Sequence, residues 1–400
     1  MKPIRLPWRG KDVPSAIIDV VRGCNCVCKA CFNRRPPSVK PLEKIRTELS
    51  VLRRLRNVAT VGISGGEPLL HPQIAEIVRL VHGEGLSPSL LTNGILWGES
   101  AARELASAGL DFVMLHVQPG QKRPDLPQDA TADDAFSIIK SKCAIANACG
   151  IEGVAVATVN VRRRAEVDSI LEAFFRCEGC QYLWLTLERD MHTFDEGCER
   201  ASAGNGVQEM SSLVAEHGWR PFAGIGGVRN SRKWRWMTYH GFERVGADGR
   251  TTGFAVVPPS LLERAVFAVF RMFRIQLPYR VRAGKWGTLA RIALNALSGG
   301  PLRNLAFVFA AIFRRERVRP KHLVVEALPE FSEDGKVEHC DPCVDATVYG
   351  DRLVPACLVD TEFAKRGCEW PSSSSSRRWG TRAEAPRIRR RGSWSRCRSR

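Results

Sequence analysis

The first half of the chain alternates short apolar runs with amphipathic stretches. The amphipathic stretches repeat about every 3.6 residues and predict helices over residues 41–56, 72–83, 99–108, 131–149 and 165–176. The apolar runs predict six β-strands, at Ala16–Val21, Val58–Ile63, Ser87–Leu91, Asp111–Val117, Val154–Val159 and Tyr182–Leu187. Strands and helices that alternate in this way form parallel sheets with crossover helices. The pattern predicts an α/β fold, either a partial barrel or a doubly wound sheet, and both place their chemistry on the loops that follow the strands.

The pattern changes after the sixth strand. We expect six segments in chain order: an N-terminal extension, the α/β core, an insertion or cap without a clear period, a basic amphipathic helical segment, a small Cys-rich tail domain and a disordered basic tail. Their boundaries are residues 1–14, 15–190, 191–259, 260–320, 321–370 and 371–400. The last segment is of low complexity, and we expect no catalytic role for it.

Composition describes an ordinary globular protein of 400 residues, 44% hydrophobic and 26% charged. It excludes a disulfide-stapled mini-protein, a fibrous repeat and a wholly disordered chain. The formal net charge of +18 is concentrated in residues 260–320 and 371–400, which carry +10 and +9. The rest of the chain is close to neutral, so we expect no specific nucleic-acid partner.

The chain holds 14 cysteines and begins without the apolar core of a secretory signal. No apolar run approaches the roughly 18–20 residues of a spanning helix; the longest suggestive stretch is Leu305–Phe313. We therefore expect a cytoplasmic protein. In a reducing compartment, clustered cysteines bind metal more often than they form disulfides.

The loop after the first strand carries Cys24, Cys28 and Cys31 in the spacing C-x3-C-x2-C. A [4Fe–4S] cluster has four irons, so three thiolates leave one iron open to another ligand. The alternative is a structural zinc site completed by a distant Cys or His. Cys26 is an extra thiol inside the loop, which we interpret as a buried bystander rather than a ligand.

The second strand ends in Gly65-Gly66-Glu67-Pro68. Two glycines allow a ligand to approach the backbone closely, and a carboxylate stands beside them at the strand end. Such a turn is a weak signal alone. Because it lies on the next strand after the cysteine loop, it strengthens the prediction of a cofactor site.

These paired motifs resemble those of the radical S-adenosylmethionine (SAM) superfamily. The resemblance covers about residues 15–190 and implies a partial (β/α)6 TIM-type barrel that holds a [4Fe–4S] cluster and SAM. It implies that SAM chelates the open iron, with Gly66 and Glu67 around its amino group. It also implies one electron from an external flavodoxin- or ferredoxin-type reductant, reductive SAM cleavage, and a 5′-deoxyadenosyl radical that abstracts substrate hydrogen.

The resemblance extends to Leu91-Thr92-Asn93-Gly94, which is similar to a motif often found after the third strand, and makes Asn93 a candidate for binding the cofactor. One position departs from the family pattern. Many members carry an aromatic residue directly before the third cysteine, whereas this chain has Ala30 there and Phe32 after it.

The fourth strand ends in a polar run in which His116 or Gln118 could contact the ribose or the substrate. The alternative is that these groups only satisfy one another at a strand end. Asn160, Glu188 and Arg189, at the ends of the next two strands, are weaker candidates.

A second cysteine group, Cys340, Cys343 and Cys357, surrounds a predicted hairpin that turns at Gly350-Asp351. It resembles the auxiliary-cluster (SPASM- or twitch-like) segments of radical SAM enzymes, although the full seven-cysteine pattern is absent. Cys368 could be its fourth ligand, or the substrate or His339 could complete the site. We favour a second iron–sulfur cluster over zinc.

A third group of thiols could form between the barrel and the insertion. It comprises Cys177, Cys180 and Cys198, and its alternative is a set of ordinary core or surface thiols.

The basic segment opens with a capping-box pattern at Ser260 and Glu263, which predicts the start of a helix. On this helix Glu263, Arg264, Arg271 and Arg274 share one face, and the remainder is apolar. Broad apolar faces bordered by arginine are typical of helices in an anionic lipid interface. The alternative is helices packed on the barrel with solvated arginines.

The sequence therefore predicts a radical SAM enzyme that acts on an apolar, lipid-type substrate, cytoplasmic and peripheral on the inner face of the membrane. One alternative is a peptide-modifying radical SAM enzyme with an auxiliary cluster. The other is a non-catalytic iron–sulfur or zinc protein that binds RNA through its basic tail.

Overall fold

A computed structural model describes residues 2–28, 31, 33, 37–188, 206–228, 230–273, 275, 284–331 and 337–359. Several positions singled out in the sequence lie outside these residues: Ala30, Phe32, Arg189, Cys198, Arg274, Cys368 and the tail 371–400.

The core of the described chain is a curved sheet with six parallel strands in sequence order. Each strand pairs with the next through parallel hydrogen bonds. These strands are β2 (Ser15–Val21), β3 (Thr60–Gly65), β4 (Ser87–Thr92), β5 (Phe112–His116), β6 (Glu152–Val159) and β7 (Tyr182–Leu187). All six lie where the apolar runs predicted them, with ends shifted by at most two residues.

Five helices cover the outer face of this sheet. They are α1 (Leu42–Leu55), α2 (Ile74–Gly83), α3 (Glu99–Ser107), α4 (Ala132–Ala148) and α5 (Arg164–Arg176). Each turns an apolar stripe to the sheet, as Ile45, Leu49 and Leu52 of α1 do. Repeated strand–helix units around a curved parallel sheet make a partial (β/α)6 barrel, which confirms the predicted fold class.

The sheet continues beyond β7 with strands from distant parts of the chain. Among the described residues it has eleven strands, and β7 is followed by β13, β9, β8 and β1, with β16 also on β8. Their bounds are β1 (Ile4–Arg5), β8 (Ala223–Gly227), β9 (Trp234–Tyr239), β13 (His322–Ala327) and β16 (Cys340–Asp341). β13 is parallel to β7 and antiparallel to β9. Helix α6 (Gly206–Glu216) packs on β9 and β13.

The sequence showed no clear period in residues 191–259 and therefore did not predict β8 and β9 of this extension. The sequence of β8 is Ala-Gly-Ile-Gly-Gly, so glycine replaces the side chains whose alternation would have revealed a strand. In β9 the charged Arg235 is buried, and its guanidinium lies 2.6 Å from the Glu330 carboxylate. Because this buried ion pair places a charged residue inside the strand, the hydrophobicity pattern does not identify β9.

A second, smaller unit combines a sheet with three helices. Its strands are β10 (Gly241–Val245), β11 (Thr251–Val256) and β12 (Arg317–Pro320), and its helices are α7 (Leu261–Met272), α8 (Lys285–Leu297) and α9 (Arg303–Phe313). Ser260 caps α7 through the predicted capping box with Glu263. Its core contains Phe242, Leu289 and Phe307.

The C-terminal part of the described chain consists of short hairpins. β14 (Glu330–Phe331) pairs with β15 (Val337–Glu338), and β17 (Ala346–Tyr349) pairs with β18 (Arg352–Pro355). The second hairpin turns at Gly350, whose φ of +65° requires a residue that tolerates the left-handed region. It confirms the predicted hairpin and packs against β2 and α1. No described helix combines the length and apolar character needed to cross a bilayer.

Candidate active site

A cavity of about 1190 Å³ runs along the inner face of the barrel. Its wall includes residues at the amino ends of the parallel strands, among them Ser15, Thr60, Phe112 and Tyr182. It also includes residues at their carboxyl ends, among them Thr92, His116, Thr158 and Glu188. The cavity therefore extends over the whole length of the strands, about 20 Å for six or seven residues.

The cysteine loop lies at the carboxyl end of β2, and four thiols line the cavity there. Cys24 and Cys31 are exposed, Cys28 is half-buried and Cys26 is only 8% exposed. Cys26 Sγ lies 3.9 Å from Cys28 Sγ. The three thiols of the C-x3-C-x2-C motif are all more exposed than that of Cys26. This difference in exposure supports the interpretation of Cys26 as a bystander.

Neighbouring loops hold the cysteine loop in place. Val27 and Lys122 exchange backbone hydrogen bonds of 3.4 and 3.2 Å, which join it to the loop after β5. The side-chain amide of Gln121 donates to Cys28 Sγ over 3.5 Å. Asn93 Nδ2 donates to Asn25 Oδ1 over 2.7 Å and lies 3.8 Å from Cys24 Sγ.

Burial, with the nearby thiols of Cys26, Cys31 and Cys24, raises the pKa of Cys28 to about 12. A thiol with this pKa keeps its proton at neutral pH unless a metal centre replaces it. The positive charge of a bound cluster would reverse the balance and stabilise the thiolates.

The donor set fits an iron–sulfur cluster. Among the described side chains, no three or more His, Cys, Asp or Glu residues form a group that could hold a metal ion. In a [4Fe–4S] cluster, however, each cysteine binds a different iron, so the ligands surround the cluster instead of meeting at one point. Cys24, Cys28 and Cys31 face one cavity, and two of their sulfurs lie near N–H donors, as cluster ligands commonly do.

The two glycines at the end of β3 are required by the chain's own backbone. Gly65 has a φ of +151°, and a Cβ there would lie 2.1 Å from the Val21 carbonyl oxygen. A Cβ at Gly66 would lie 2.2 Å from the carbonyl oxygen of Gly23. The sequence suggested that the glycines admit a ligand; the structure shows that they let β3 pass directly against the start of the cysteine loop. Both glycines also line the cavity.

Glu67 lies behind the cavity wall, and its side chain is fully buried. Oε1 accepts hydrogen bonds from the Leu69 amide and the Thr92 hydroxyl, at 3.0 and 2.7 Å. Oε2 accepts from the Asn93 amide at 2.8 Å. Burial raises the pKa of Glu67, while these bonds act in the opposite direction. Through these bonds Glu67 ties the end of β3 to the end of β4, and its contact with the SAM amino group stays a prediction.

His116 lies on the cavity wall and is neutral, because burial lowers its pKa. Its Nδ1 lies 3.4 Å from the amide nitrogen of Gln121, and its Nε2 lies 3.1 Å from Gln118 Oε1. These partners assign the proton to Nε2 and the acceptor role to Nδ1. Because the same Gln121 nitrogen contacts Cys28 Sγ, His116 is coupled to the cysteine loop through Gln121.

Gln118 and the weaker candidates Asn160 and Glu188 contact other residues of the chain. Gln118 Oε1 accepts from the Thr158 amide at 2.5 Å. Asn160 Oδ1 accepts from the Arg162 amide at 3.0 Å, and Glu188 pairs with Arg163 at 2.5 Å.

Gln121 and Arg123 belong to the polar run that follows the fourth predicted strand, and neither was predicted as a site residue. Arg123 is buried, donates to Gln121 Oε1 at 3.1 Å and forms a bidentate pair with Asp125. It thereby fixes the orientation of the Gln121 amide that faces Cys28. No spacing rule distinguishes these two residues from the rest of the run.

Cys340, Cys343 and Cys357 line the same cavity, as the sequence expected of a single group. Arg56 Nη1 donates to the carbonyl oxygens of Cys343 and Ser15, at 2.9 and 2.8 Å. This contact fixes the segment against the amino end of β2.

Burial raises the pKa of all three thiols, and the nearby acidic groups add to the effect. Two carboxyl groups, Glu326 and Asp345, are hydrogen-bonded to each other beside them. Burial raises the pKa of Asp345 to about 6. Trp184 Nε1 donates to Glu326 Oε2 at 2.9 Å. The three thiols and two carboxyl groups share this part of the cavity wall, where burial raises the pKa of each of them.

In the third predicted thiol group, Cys177 and Cys180 lie together, while Cys198 is outside the described residues. The structure places Cys143 of α4 beside Cys177 and Cys180, with side-chain hydrogen bonds from Cys143 and Cys177 to Cys180. All three are buried, and Lys321 Nζ donates to the carbonyl oxygens of Cys177 and Cys180, at 2.7 and 2.9 Å. These thiols pack in the core between α4, α5 and β7.

Comparison with known proteins identifies the barrel. Residues 18–168 match the model of the radical SAM superfamily, and this range holds the cysteine loop, the glycine pair and His116. These residues are similar to a radical SAM domain, and the superfamily uses a [4Fe–4S] cluster and SAM. The match covers less than half of the chain.

Among curated proteins, the chain is similar to the PqqA peptide cyclases of Xanthomonas. It is 30% identical over 109 residues to that of Xanthomonas euvesicatoria pv. vesicatoria (strain 85-10), covering 26% of this chain and 29% of the relative. The corresponding protein of Xanthomonas oryzae pv. oryzae (strain MAFF 311018) gives the same identity and coverage. The chain thus spans less than a third of these relatives' length.

Solved structures similar to the chain include two further proteins. Streptococcus suis SuiB bound to precursor peptide SuiA has a TM-score of 0.40 at 14% identity, covering 52% of this chain and 46% of SuiB. Native anSMEcpe with bound AdoMet has a TM-score of 0.36 at 18% identity, covering 44% of this chain and 52% of that one.

Proposed function

We propose that this protein is a radical SAM enzyme that abstracts hydrogen from an apolar, lipid-type substrate inside the barrel. When bound, the cluster and SAM supply a 5′-deoxyadenosyl radical after one electron arrives from a flavodoxin- or ferredoxin-type reductant. Cys24, Cys28 and Cys31 would hold the cluster. The wall formed by Gly65 and Gly66 would lie beside SAM.

The residues around the cysteine loop act by placement and by excluding water. Asn93 and Gln121 orient Cys24 and Cys28 through their amide nitrogens. His116, neutral and half-buried, presents no charge to the cavity beside the cysteine loop. Exclusion of water from the site would protect a reactive radical from side reactions with solvent.

The shape and chemistry of the cavity carry the proposal of an apolar substrate. Its volume of about 1190 Å³ exceeds the roughly 300–1,000 Å³ of common ligand sites, which leaves room for substrate beside a cofactor. Between its two ends the wall is mainly apolar and includes Ile17, Leu91, Met114, Val156, Trp184 and Trp236.

We further propose that Cys340, Cys343 and Cys357 hold an auxiliary iron–sulfur cluster. Their shared position on the cavity wall supports this assignment, since thiolates are the ligands of such clusters. Cys368 or His339 would supply a fourth ligand.

Anaerobic reconstitution tests the reaction. With SAM and dithionite, the reconstituted protein should form 5′-deoxyadenosine, and Cys28→Ala should abolish it. Cys26→Ala is the matched control and should keep both cluster and product. Wild-type protein that binds iron but forms no 5′-deoxyadenosine would refute the enzymatic proposal and favour the non-catalytic, RNA-binding alternative.

A peptide substrate is the second candidate. It is supported by the similarity to proteins named PqqA peptide cyclases, which is confined to about a quarter of this chain. Assays with extracted membrane lipids and with peptide fractions of the host, each followed by mass spectrometry, separate the two. A mass change confined to the lipid fraction supports the first candidate; one confined to peptides replaces it.

A lipid-type substrate would place the reaction at the inner face of the membrane. Removal of the membrane fraction from a host extract should then remove substrate conversion while leaving SAM cleavage intact.

A further inference from the structure

Three neighbouring helices carry most of the exposed apolar surface of the described chain. Of its 20 exposed large hydrophobic side chains, 14 fall within residues 261–313. On α7, all of whose residues are described, none is buried, although the helix is mainly apolar. Soluble monomers rarely expose large apolar patches without a binding role. The patch includes Leu261, Val269, Met272, Phe273, Phe309 and Phe313.

The charges around these helices are of one sign. The two acids of residues 260–320 are both engaged within the fold. Glu263 accepts from Asn295 Nδ2 at 2.7 Å, and Glu316 lies 3.3 Å from Arg244. Among the described residues of the segment, the exposed cations are Arg271, Arg303, Arg314, Arg315 and Arg317. Since the carboxylates face inward, the outer surface is positively charged and complements an anionic surface.

One side of α7 also forms part of the cavity wall, through Leu262, Val266 and Phe267. A series of rings leads from α7 to the first residue of β7. In order, the rings are Phe267, Phe222, His240, His322 and Tyr182, with centroid separations of 6.0, 4.0, 4.8 and 5.4 Å. The helix therefore lies at the amino ends of the parallel strands, opposite the cysteine loop.

We propose that α7, α8 and α9 form a docking face for an anionic lipid membrane, and that the cavity opens onto the bilayer beside α7. An amphipathic helix with basic borders binds such an interface by burying apolar side chains and pairing cations with headgroups. An extended lipid substrate would pass α7 and reach the cysteine loop about 20 Å away. Only this last step rests on the proposed function; membrane binding does not.

The test is co-sedimentation of the full chain with vesicles. Vesicles of phosphatidylcholine with about one third phosphatidylglycerol should bind the protein at low salt, and high salt should weaken binding. Vesicles of phosphatidylcholine alone should bind at least tenfold less. Equal binding to both would contradict the charge argument and overturn the proposal.

Two variants locate the binding face. The combined change Val269→Ser, Met272→Ser and Phe273→Ser removes exposed apolar side chains outside the cavity, and Arg271→Glu with Arg303→Glu reverses two charges. Each should weaken binding at least tenfold. Matched controls on the barrel, Leu96→Ser and Arg79→Glu, are also exposed and should bind like wild type. Circular dichroism and gel filtration verify that all variants are folded.

Other outcomes would overturn the proposal. Because every variant keeps the basic segment 371–400, binding that survives the α7 changes would assign membrane attachment to that segment. If wild type ignores vesicles but self-associates, and the same variants abolish the association, the face is a protein interface.

A parallel assay separates this inference from the catalytic proposal. Formation of 5′-deoxyadenosine with dithionite, measured without vesicles, should be unchanged in the docking variants. Loss of vesicle binding with intact SAM cleavage affects only the docking face. Membrane binding without any SAM cleavage refutes only the proposed reaction.

Discussion

The side-chain nitrogen of Gln121 lies 3.5 Å from Cys28 Sγ and 3.4 Å from His116 Nδ1. Arg123 holds the other end of this amide by donating to its oxygen at 3.1 Å. The reduction potential of an iron–sulfur cluster depends on hydrogen bonds to its sulfurs, because such bonds stabilise the more negative, reduced state. Gln121 is thus placed to set the ease with which the cluster accepts its electron.

Replacement of Gln121 by leucine should make the cluster harder to reduce. The midpoint potential, measured by redox titration with electron paramagnetic resonance, should shift to more negative values while iron content stays unchanged. Gln128→Leu, at an exposed position on the same loop, is the control and should leave the potential in place. An unaltered potential in Gln121→Leu would show that its amide does not donate to the cluster ligand.

Replacement of Gly66 by alanine should destabilise the protein, since its Cβ would lie 2.2 Å from the Gly23 carbonyl oxygen. Overpacking of this kind costs about 1–3 kcal/mol of unfolding free energy. Gly83→Ala is the control, because no atom lies within 4 Å of its Cβ position. Urea denaturation should separate the two variants, and equal stability would contradict the close approach.

The sequence predicted helices and strands correctly where each element buries one continuous apolar face. The six barrel strands and five helices were predicted because their apolar periods are uninterrupted. Strand β8, with three glycines, and strand β9, with a buried Arg235–Glu330 pair, have no such period. Their place in the sheet is set by tertiary pairing, of β9 with β13 and of β8 with β9, which a local sequence pattern cannot report.

The candidate site divides in the same way. Cys24, Cys28 and Cys31 followed from spacing alone, because loop ligands must be close in sequence. The direction in which the Glu67 carboxylate points, and the meeting of Cys143 with Cys180, depend on packing between separate elements. Contacts between separate elements produce no local sequence pattern from which they could be predicted.

The junction between β9 and α8 should make stability depend on pH. Burial, then Arg291 and His322, lower the pKa of His240 well below its usual range. In the unfolded chain this pKa is near 6.5. As the pH falls below 6.5, His240 becomes protonated in the unfolded state but stays neutral in the folded state. The unfolding free energy should fall by up to about 1.4 kcal/mol per pH unit from this residue.

Urea unfolding of wild type and His240→Phe between pH 7.5 and 5 checks this slope. Phenylalanine keeps a ring against Phe222 and does not titrate, so the decline below pH 6.5 should be less steep in the variant. Parallel curves for the two proteins would contradict the assignment to His240.

At the scale of the whole molecule, the two cysteine groups face one cavity from different parts of the chain. Replacement of Cys340, Cys343 and Cys357 by alanine should remove one cluster and lower the iron content of reconstituted protein by about four atoms per chain. The remaining iron should still support SAM cleavage. Iron analysis with sulfide determination measures the change, and an unchanged iron content would leave the C-terminal group without a cluster.

The position of β13 has a consequence for how the protein is made. Residues His322–Ala327 lie between β7 and β9, so the sheet cannot close until the ribosome has produced more than three quarters of the chain. Until then the newly made barrel presents β7 as an unpaired edge, which invites pairing with other nascent chains. Non-local pairing of this kind also slows folding. Recombinant synthesis should therefore benefit from slow translation and abundant chaperones, which shield the unpaired edge of β7 until β13 is inserted.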